Sequence, residues 1–303
     1  FNPYSLEARC KTRPLRREAE TTMWRWPSGT RLRPSSLTSA VRAWRCATLG
    51  ESSRSFASNG VAEVRLSDDA QLPCEIIAPS GADVAAASKL RLIWGHGLGA
   101  ANPRQRTRRT CKSFPMLQSA VEIQPNRFSA VVYDARGHGG SHGWENSCDN
   151  LEQFRWPNLA QDMMTVWAAH SEGLLSSRAF LGGYSLGAST AVWAALKSPA
   201  SVSGLVLLSV TTGWEIRAAR RASLLETAAK LDDADHPAAQ VLRGAAATDL
   251  PELDTLRQAR LQIPTLLACA CDDAVHPSEV VERLHAVLPR SQVLITETTA
   301  ELE

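Results

Sequence analysis

The chain has no run of apolar residues approaching the ~18 that a membrane-spanning helix needs, so nothing in its 303 residues reads as a transmembrane segment. Cysteine is sparse and odd in number: Cys10, Cys46, Cys74, Cys111, Cys148, Cys269 and Cys271, without a C-x-x-C pair. That argues against a zinc ribbon and against a disulfide framework, so free thiols in a reducing compartment are expected. Cys269 and Cys271, two apart in an apolar run, read as buried strand packing. No internal repeat is visible. A basic face is also lacking from the body of the chain. Residues 1–60 hold eleven Lys and Arg against four Asp and Glu, or +7; the remainder holds 22 against 27, or −5, and the two sum to the formal +2. A mildly acidic body offers no electrostatic footprint for nucleic acid.

Residues 1–58 are rich in Arg, Ser and Thr and lack the apolar core of a secretory signal, which disfavours export. Their composition is that of an organelle-targeting segment or a disordered leader on an intracellular, soluble protein. The chain opens on Phe1 and stops soon after an apparent strand, so truncation at either end is one expectation.

What is present begins at residue 61. Two strand-like runs, 61–66 and 72–78, flank the polar turn Asp68-Asp69-Ala70 and predict an antiparallel hairpin. Short apolar runs follow at 90–94, 129–133, 179–181, 204–210, 264–270 and 292–295, alternating with helical stretches that include 157–171, 186–197 and 277–288. Runs bounded by Gly, Pro or Asp are typical of a parallel sheet buried on both faces. The alternation predicts an α/β fold, a doubly wound, mostly parallel sheet of eight strands. Residues 59–210 and 263–303 form its two parts. Between them, 211–262 is too long for a simple crossover and reads as a small helical lid.

Three motifs carry chemistry. Gly183-Tyr184-Ser185-Leu186-Gly187 lies between a strand and a helix, the setting of a nucleophile elbow. Its turn is so tight that only glycine fits on either side, and the helix N-terminus is aimed at the serine. The N–H of Leu186 is then placed to stabilise an oxyanion. Gly95-His96-Gly97-Leu98-Gly99 follows an earlier strand; its glycines turn the backbone so that the N–H of Leu98 supplies a second donor, with His96 organising the loop. Asp134-Ala135-Arg136-Gly137-His138-Gly139-Gly140-Ser141 also follows a strand, and Asp134, Arg136 and His138 read as architectural support.

In this order the motifs resemble those of the α/β-hydrolase superfamily over residues 60–296, and are similar to its small esterase- and lactonase-like members, such as 3-oxoadipate enol-lactonase relatives. The resemblance implies a Ser–His–Asp triad with neither metal nor organic cofactor, acting on a small-molecule acyl substrate. It implies nothing about oligomeric state. The acid is expected after the penultimate strand, where Asp273 fits the spacing before Pro277 better than Asp272 does. Trp214, in the insertion, is a candidate pocket residue, with packing inside the lid as its alternative.

The histidine that the family places after the last strand is missing: residues 296–303 contain none. Seven histidines exist in all. His96 and His138 belong to the loops above, His170 falls near a helix end where a cation is favourable, and His285 lies inside a helix. His276, three residues past Asp273, is the leading candidate base; His142 and His236 are weaker ones. Three expectations stand together: a base beyond the present C-terminus, His276 as the base, or a catalytically inactive hydrolase-fold protein that binds a ligand.

Overall fold

The computed structural model describes residues 62–78, 90–100, 114–123, 128–147, 150–171, 178–232 and 238–302. The leader, Cys10, Cys46, Cys111, Cys148 and His236 lie outside the described residues.

Strands β1 (Ala62–Arg65) and β2 (Gln71–Ile77) form the antiparallel hairpin that the polar turn predicts. The remaining strands are β3 (Leu90–Gly95), β4 (Phe128–Tyr133), β5 (Ala179–Tyr184), β6 (Val202–Leu208), β7 (Thr265–Ala270) and β8 (Ser291–Thr296). They make one eight-stranded sheet in the order β1-β2-β4-β3-β5-β6-β7-β8. β2 meets β4 antiparallel, and every pairing from β4 across to β8 is parallel. This is the expected doubly wound architecture. Ile93, Val131, Leu181, Leu207 and Leu267, one from each of five neighbouring strands, are completely buried. Burying such a side chain contributes about 1.5–3 kcal/mol relative to leaving it exposed.

Helices α1 (Phe114–Ile123), α2 (Trp156–Ala169) and α3 (Leu186–Lys197) join successive strands, and α7 (Ser278–Val287) joins β7 to β8. α2 buries Trp156, Leu159, Met163 and Val166, and α7 buries Val280, Val281, Leu284 and Val287. Both sets follow the three-and-four spacing of one helix face.

Three local expectations are corrected. Pro277 caps α7 in an extended conformation and does not start its first turn. Of the pair Cys269 and Cys271, the first alone is buried strand packing; Cys271 falls one residue past β7 and is exposed. His170 does cap the end of α2, but not as a cation. Burial, opposed by a hydrogen bond to the Val166 carbonyl and assisted by the charge of Arg91, lowers its pKa from 6.5. The cation at this helix end is Arg91, whose Nη1 donates to the His170 carbonyl.

The insertion after β6 holds α4 (Arg217–Asp232), α5 (Ala238–Ala246) and α6 (Leu253–Ala259). Leu224 of α4 packs with Ala245 and Ala246 of α5, and Leu98 and Leu242 press against them. Arg217 ties this insertion to the core. It is 1% exposed, and its Nε and Nη1 donate to the carbonyls of Thr248 (2.8 Å) and Thr212 (3.0 Å). Nη2 donates to Ala245, in the last turn of α5, and the guanidinium stacks 4.3 Å from the ring centroid of Trp156. The negative end of the α5 dipole and the aromatic face stand where a carboxylate would usually be. Burial still pulls its pKa down to about 10.

Candidate active site

β5 runs straight into the elbow. Ser185 has φ 55° and ψ −107°, a left-handed conformation costly for a residue with a Cβ. It is held by flanking hydrogen bonds: Ser185 N–H donates to Leu208 O, and Gly187 N–H to His96 O, both at 3.0 Å. The elbow also crosses the end of β3 too closely for side chains. A Cβ at Gly187 would stand 2.1 Å from Gly95 O, and one at Gly183 would stand 2.4 Å from the carbonyl carbon of Gly187. The glycines are therefore required by packing around the strained serine.

The loop after β7 holds both the candidate acid Asp273 and a histidine. Asp273 Oδ1 accepts from the N–H groups of Val275 (3.0 Å) and His276 (3.2 Å), an Asx turn that folds the chain back on itself. The turn brings the imidazole onto the same carboxylate: His276 Nδ1 lies 2.7 Å from Asp273 Oδ2. On the far side of the ring, Nε2 lies 2.8 Å from Ser185 Oγ. A carboxylate only accepts, so Nδ1 carries the proton and Nε2 is free to accept from the serine hydroxyl. His276 is buried. Burial alone would raise the pKa of Asp273, but the hydrogen bond and charge of His276 and the two backbone N–H groups hold the carboxyl below its ordinary value. Asp272 faces elsewhere: its Oδ1 accepts from Thr299 N–H at 2.7 Å, capping the short helix α8 (Thr299–Leu302).

Around this line stand the residues of the other motifs. Leu186 is the first residue of α3, so its N–H belongs to the turn whose donors lack intrahelical acceptors. Leu98 sits in the turn after Gly97, its side chain packed against both the main core and the insertion. His96 organises that loop. Its Nδ1 donates to Gly97 O (2.8 Å) and its Nε2 accepts from Ala135 N–H (3.0 Å), while burial depresses its pKa to about 4. Both ring nitrogens are thus engaged in a neutral ring. The ring of Tyr184 fills the space beside Gly97, and a Cβ there would lie 3.1 Å from Tyr184 Cδ1.

The loop after β4 is architectural in its contacts. Asp134 is fully buried and accepts from Gly140 N–H at 2.9 Å. Arg136 forks onto Asp162 of α2 with two bonds of 3.1 Å, and also binds Gln153 and Asp68 of the β1–β2 turn. One guanidinium therefore ties the hairpin, the loop and α2 together. His138 packs 4.9 Å from His96. Burial and the neighbouring His96 push its pKa down to about 3. Neither ring reaches Ser185 in the described hydrogen bonds.

Trp214 has φ +56°, donates its N–H to Asp249 Oδ1 (2.9 Å) and donates its indole Nε1–H to Pro251 O (3.1 Å). Its ring also packs against the main core, with the Arg283 guanidinium of α7 5.8 Å from its centroid. His142 is exposed, with Nδ1 near Gly140 O. His285 bonds Ser291 Oγ. Sequence reasoning gave no role to Asp162 or Gln153, nor one to Tyr184 within the elbow motif or to Arg217 within the insertion; their contacts with Arg136, His276 and Trp156 cross long stretches of chain. Among the described residues no group of three metal-ligating side chains is assembled, and no helix is long and apolar enough to cross a membrane.

A family model described as serine aminopeptidase, S33, matches residues 115–253. A solved hydrolase from Pseudomonas aeruginosa PA01 is 21% identical with a TM-score of 0.57, over 79% of this chain and 91% of that one. An esterase from Exiguobacterium antarcticum is 17% identical with a TM-score of 0.59, over 78% and 91%. An esterase from Rhodococcus sp. ECU1013 is 17% identical with a TM-score of 0.51, over 78% and 90%. No curated protein matches the chain.

Proposed function

We propose that this chain, which has the fold of solved hydrolases and esterases and matches a serine aminopeptidase family model over residues 115–253, is a serine hydrolase acting on a small carboxylic ester, thioester or lactone through an acyl-enzyme on Ser185. The observation that carries this reading is the unbroken line from Asp273 through His276 to Ser185, with contacts of 2.7 and 2.8 Å.

A serine hydroxyl is a weak nucleophile until a base takes its proton. In this reading His276 Nε2 takes it as Oγ attacks the carbonyl carbon, and Asp273 stabilises the imidazolium through Nδ1. Negative charge moves onto the carbonyl oxygen, where the N–H groups of Leu98 and Leu186 receive it. His276 then protonates the leaving group, and a water deprotonated by the same nitrogen releases the acid and restores Ser185. Support for turnover, as against ligand binding alone, comes from the base being within reach of the nucleophile although residues 296–303 carry no histidine.

The test is labelling of the purified chain by a fluorophosphonate probe, beside Ser185→Ala, followed by turnover of short p-nitrophenyl esters, acyl thioesters, lactones and alanine p-nitroanilide. Labelling lost in Ser185→Ala, with turnover of an ester, thioester or lactone, is expected. A folded chain that neither labels nor turns over any of them overturns the proposal, and turnover of the anilide alone would replace the esterase reading with a peptidase one.

A further inference from the structure

We infer that Tyr184 is a positioning residue for His276, an inference that rests on the serine-hydrolase reading of the same site. The two hydrogen bonds of His276 hold its ring at opposite nitrogens, Nδ1 on Asp273 and Nε2 on Ser185. Both contacts lie near the line joining those nitrogens. They fix where the ends of the ring are, and leave tilt of the ring about that line restrained only by whatever touches its flank. Tyr184 touches it: the two ring centroids are 5.4 Å apart with planes at 66°, an edge-on contact.

The tyrosine is itself wedged. It immediately precedes the strained Ser185, so its backbone is the last residue of β5. Its ring occupies the space beside Gly97, where an added Cβ would stand 3.1 Å from Cδ1 and 3.5 Å from Cε1. The oxyanion-side loop thus backs one part of the ring while His276 meets another. A flank support of this kind has particular value here, because the base rides on the loop after β7 and reaches the serine by a single Asx turn. A tilted imidazole would keep its bond to Asp273 and misdirect the Nε2 lone pair from Oγ. The chemical step would slow while the binding of substrate stayed the same.

The experiment compares wild type, Tyr184→Phe and Tyr184→Leu in steady-state hydrolysis of p-nitrophenyl acetate, with fluorophosphonate labelling rates and thermal melts of each chain. A misplacement of a catalytic group by about 1 Å costs on the order of 10²-fold, so Tyr184→Leu is expected to lose about 10- to 50-fold in kcat and labelling rate. KM should stay within about threefold, since only an interaction used in the chemical step is removed. Tyr184→Phe keeps the ring and should restore kcat to within about twofold. If Tyr184→Leu does not fold, Tyr184→Met takes its place as a non-aromatic residue of similar length. Unchanged kcat in a folded non-aromatic variant overturns the inference and leaves the hydrolase reading standing. An equal loss in Tyr184→Phe overturns it too, since the hydroxyl and not the ring contact would then matter. A folded wild type that neither labels nor turns over p-nitrophenyl acetate removes the hydrolase reading, and this inference falls with it.

Discussion

Replacing His276 with alanine removes the one imidazole that, among the described residues, reaches Ser185, and the size of the loss can be worked from what remains. His96 has both nitrogens committed to backbone groups, and burial keeps it neutral. His138 is engaged at Nδ1 by the Arg136 carbonyl and is likewise held neutral. His142 is exposed and bonded within its own loop. With no second base in place among the described residues, Ser185 would have to attack as an unassisted hydroxyl, leaving only the proposed oxyanion donors and binding to help. Loss of the base in such a triad costs roughly 10⁴- to 10⁶-fold in kcat, or about 5.5–8 kcal/mol at 1.36 kcal/mol per tenfold. The assay is the burst and steady state of p-nitrophenyl acetate hydrolysis, with fluorophosphonate labelling followed by mass on the intact chain. The side chain is buried, so a melting curve must first show that the variant folds. A folded His276→Ala chain that labels within about tenfold of wild type would refute the reasoning, because general-base assistance alone contributes ~10²–10⁴-fold. The base would then be another group.

Three further results are expected. Asp273→Asn should lower kcat by about 10³- to 10⁴-fold, because an amide in place of the carboxylate favours the wrong tautomer of His276. Asp272→Asn should stay within about fivefold, since its carboxylate caps α8 and not the imidazole; equal effects of the two substitutions would sink the assignment of the acid. Arg136→Met should destabilise the fold by about 3–5 kcal/mol in urea unfolding, since it leaves the buried Asp162 without its fork of hydrogen bonds. A loss under about 1 kcal/mol would show that the guanidinium is not the clasp between the hairpin, its loop and α2.

The parts of the site that could be read from the sequence are those whose cause is local. The elbow and the glycine loop are legible because tight turns demand glycine at fixed offsets, and the close approach of Gly187 to Gly95 is the physical form of that demand. The strands are legible as short apolar runs, and those in the middle of the sheet are buried on both faces, whereas β8 leaves Val293 and Ile295 exposed. Asp273 stands out over Asp272 by spacing, and the structure gives them different partners, His276 for the one and Thr299 N–H for the other. His276 could be shortlisted from seven histidines, yet its selection needs the backbone of that turn, which no periodicity encodes. Arg217 can be placed in the insertion from the sequence, but its role cannot be read there. Its charge is compensated by carbonyls, a helix end and the face of Trp156, partners up to 61 residues away in the chain. His170 misled because its position at a helix end suggests a cation, whereas burial and Arg91 decide its charge.

The proposed acid and base, Asp273 and His276, sit three residues apart in one turn of backbone. Their mutual geometry is therefore manufactured by the segment 271–277 itself, as a prefabricated part. When a base arrives from a separate loop, two independent alignments must be held at once: acid to base, and base to nucleophile. In this chain only the second depends on how distant pieces assemble, and it amounts to one 2.8 Å contact. Drift of the β7 end relative to the elbow would carry the pair away and bring it back intact. The cassette would re-engage by translation alone, with no pairing between acid and base to rebuild.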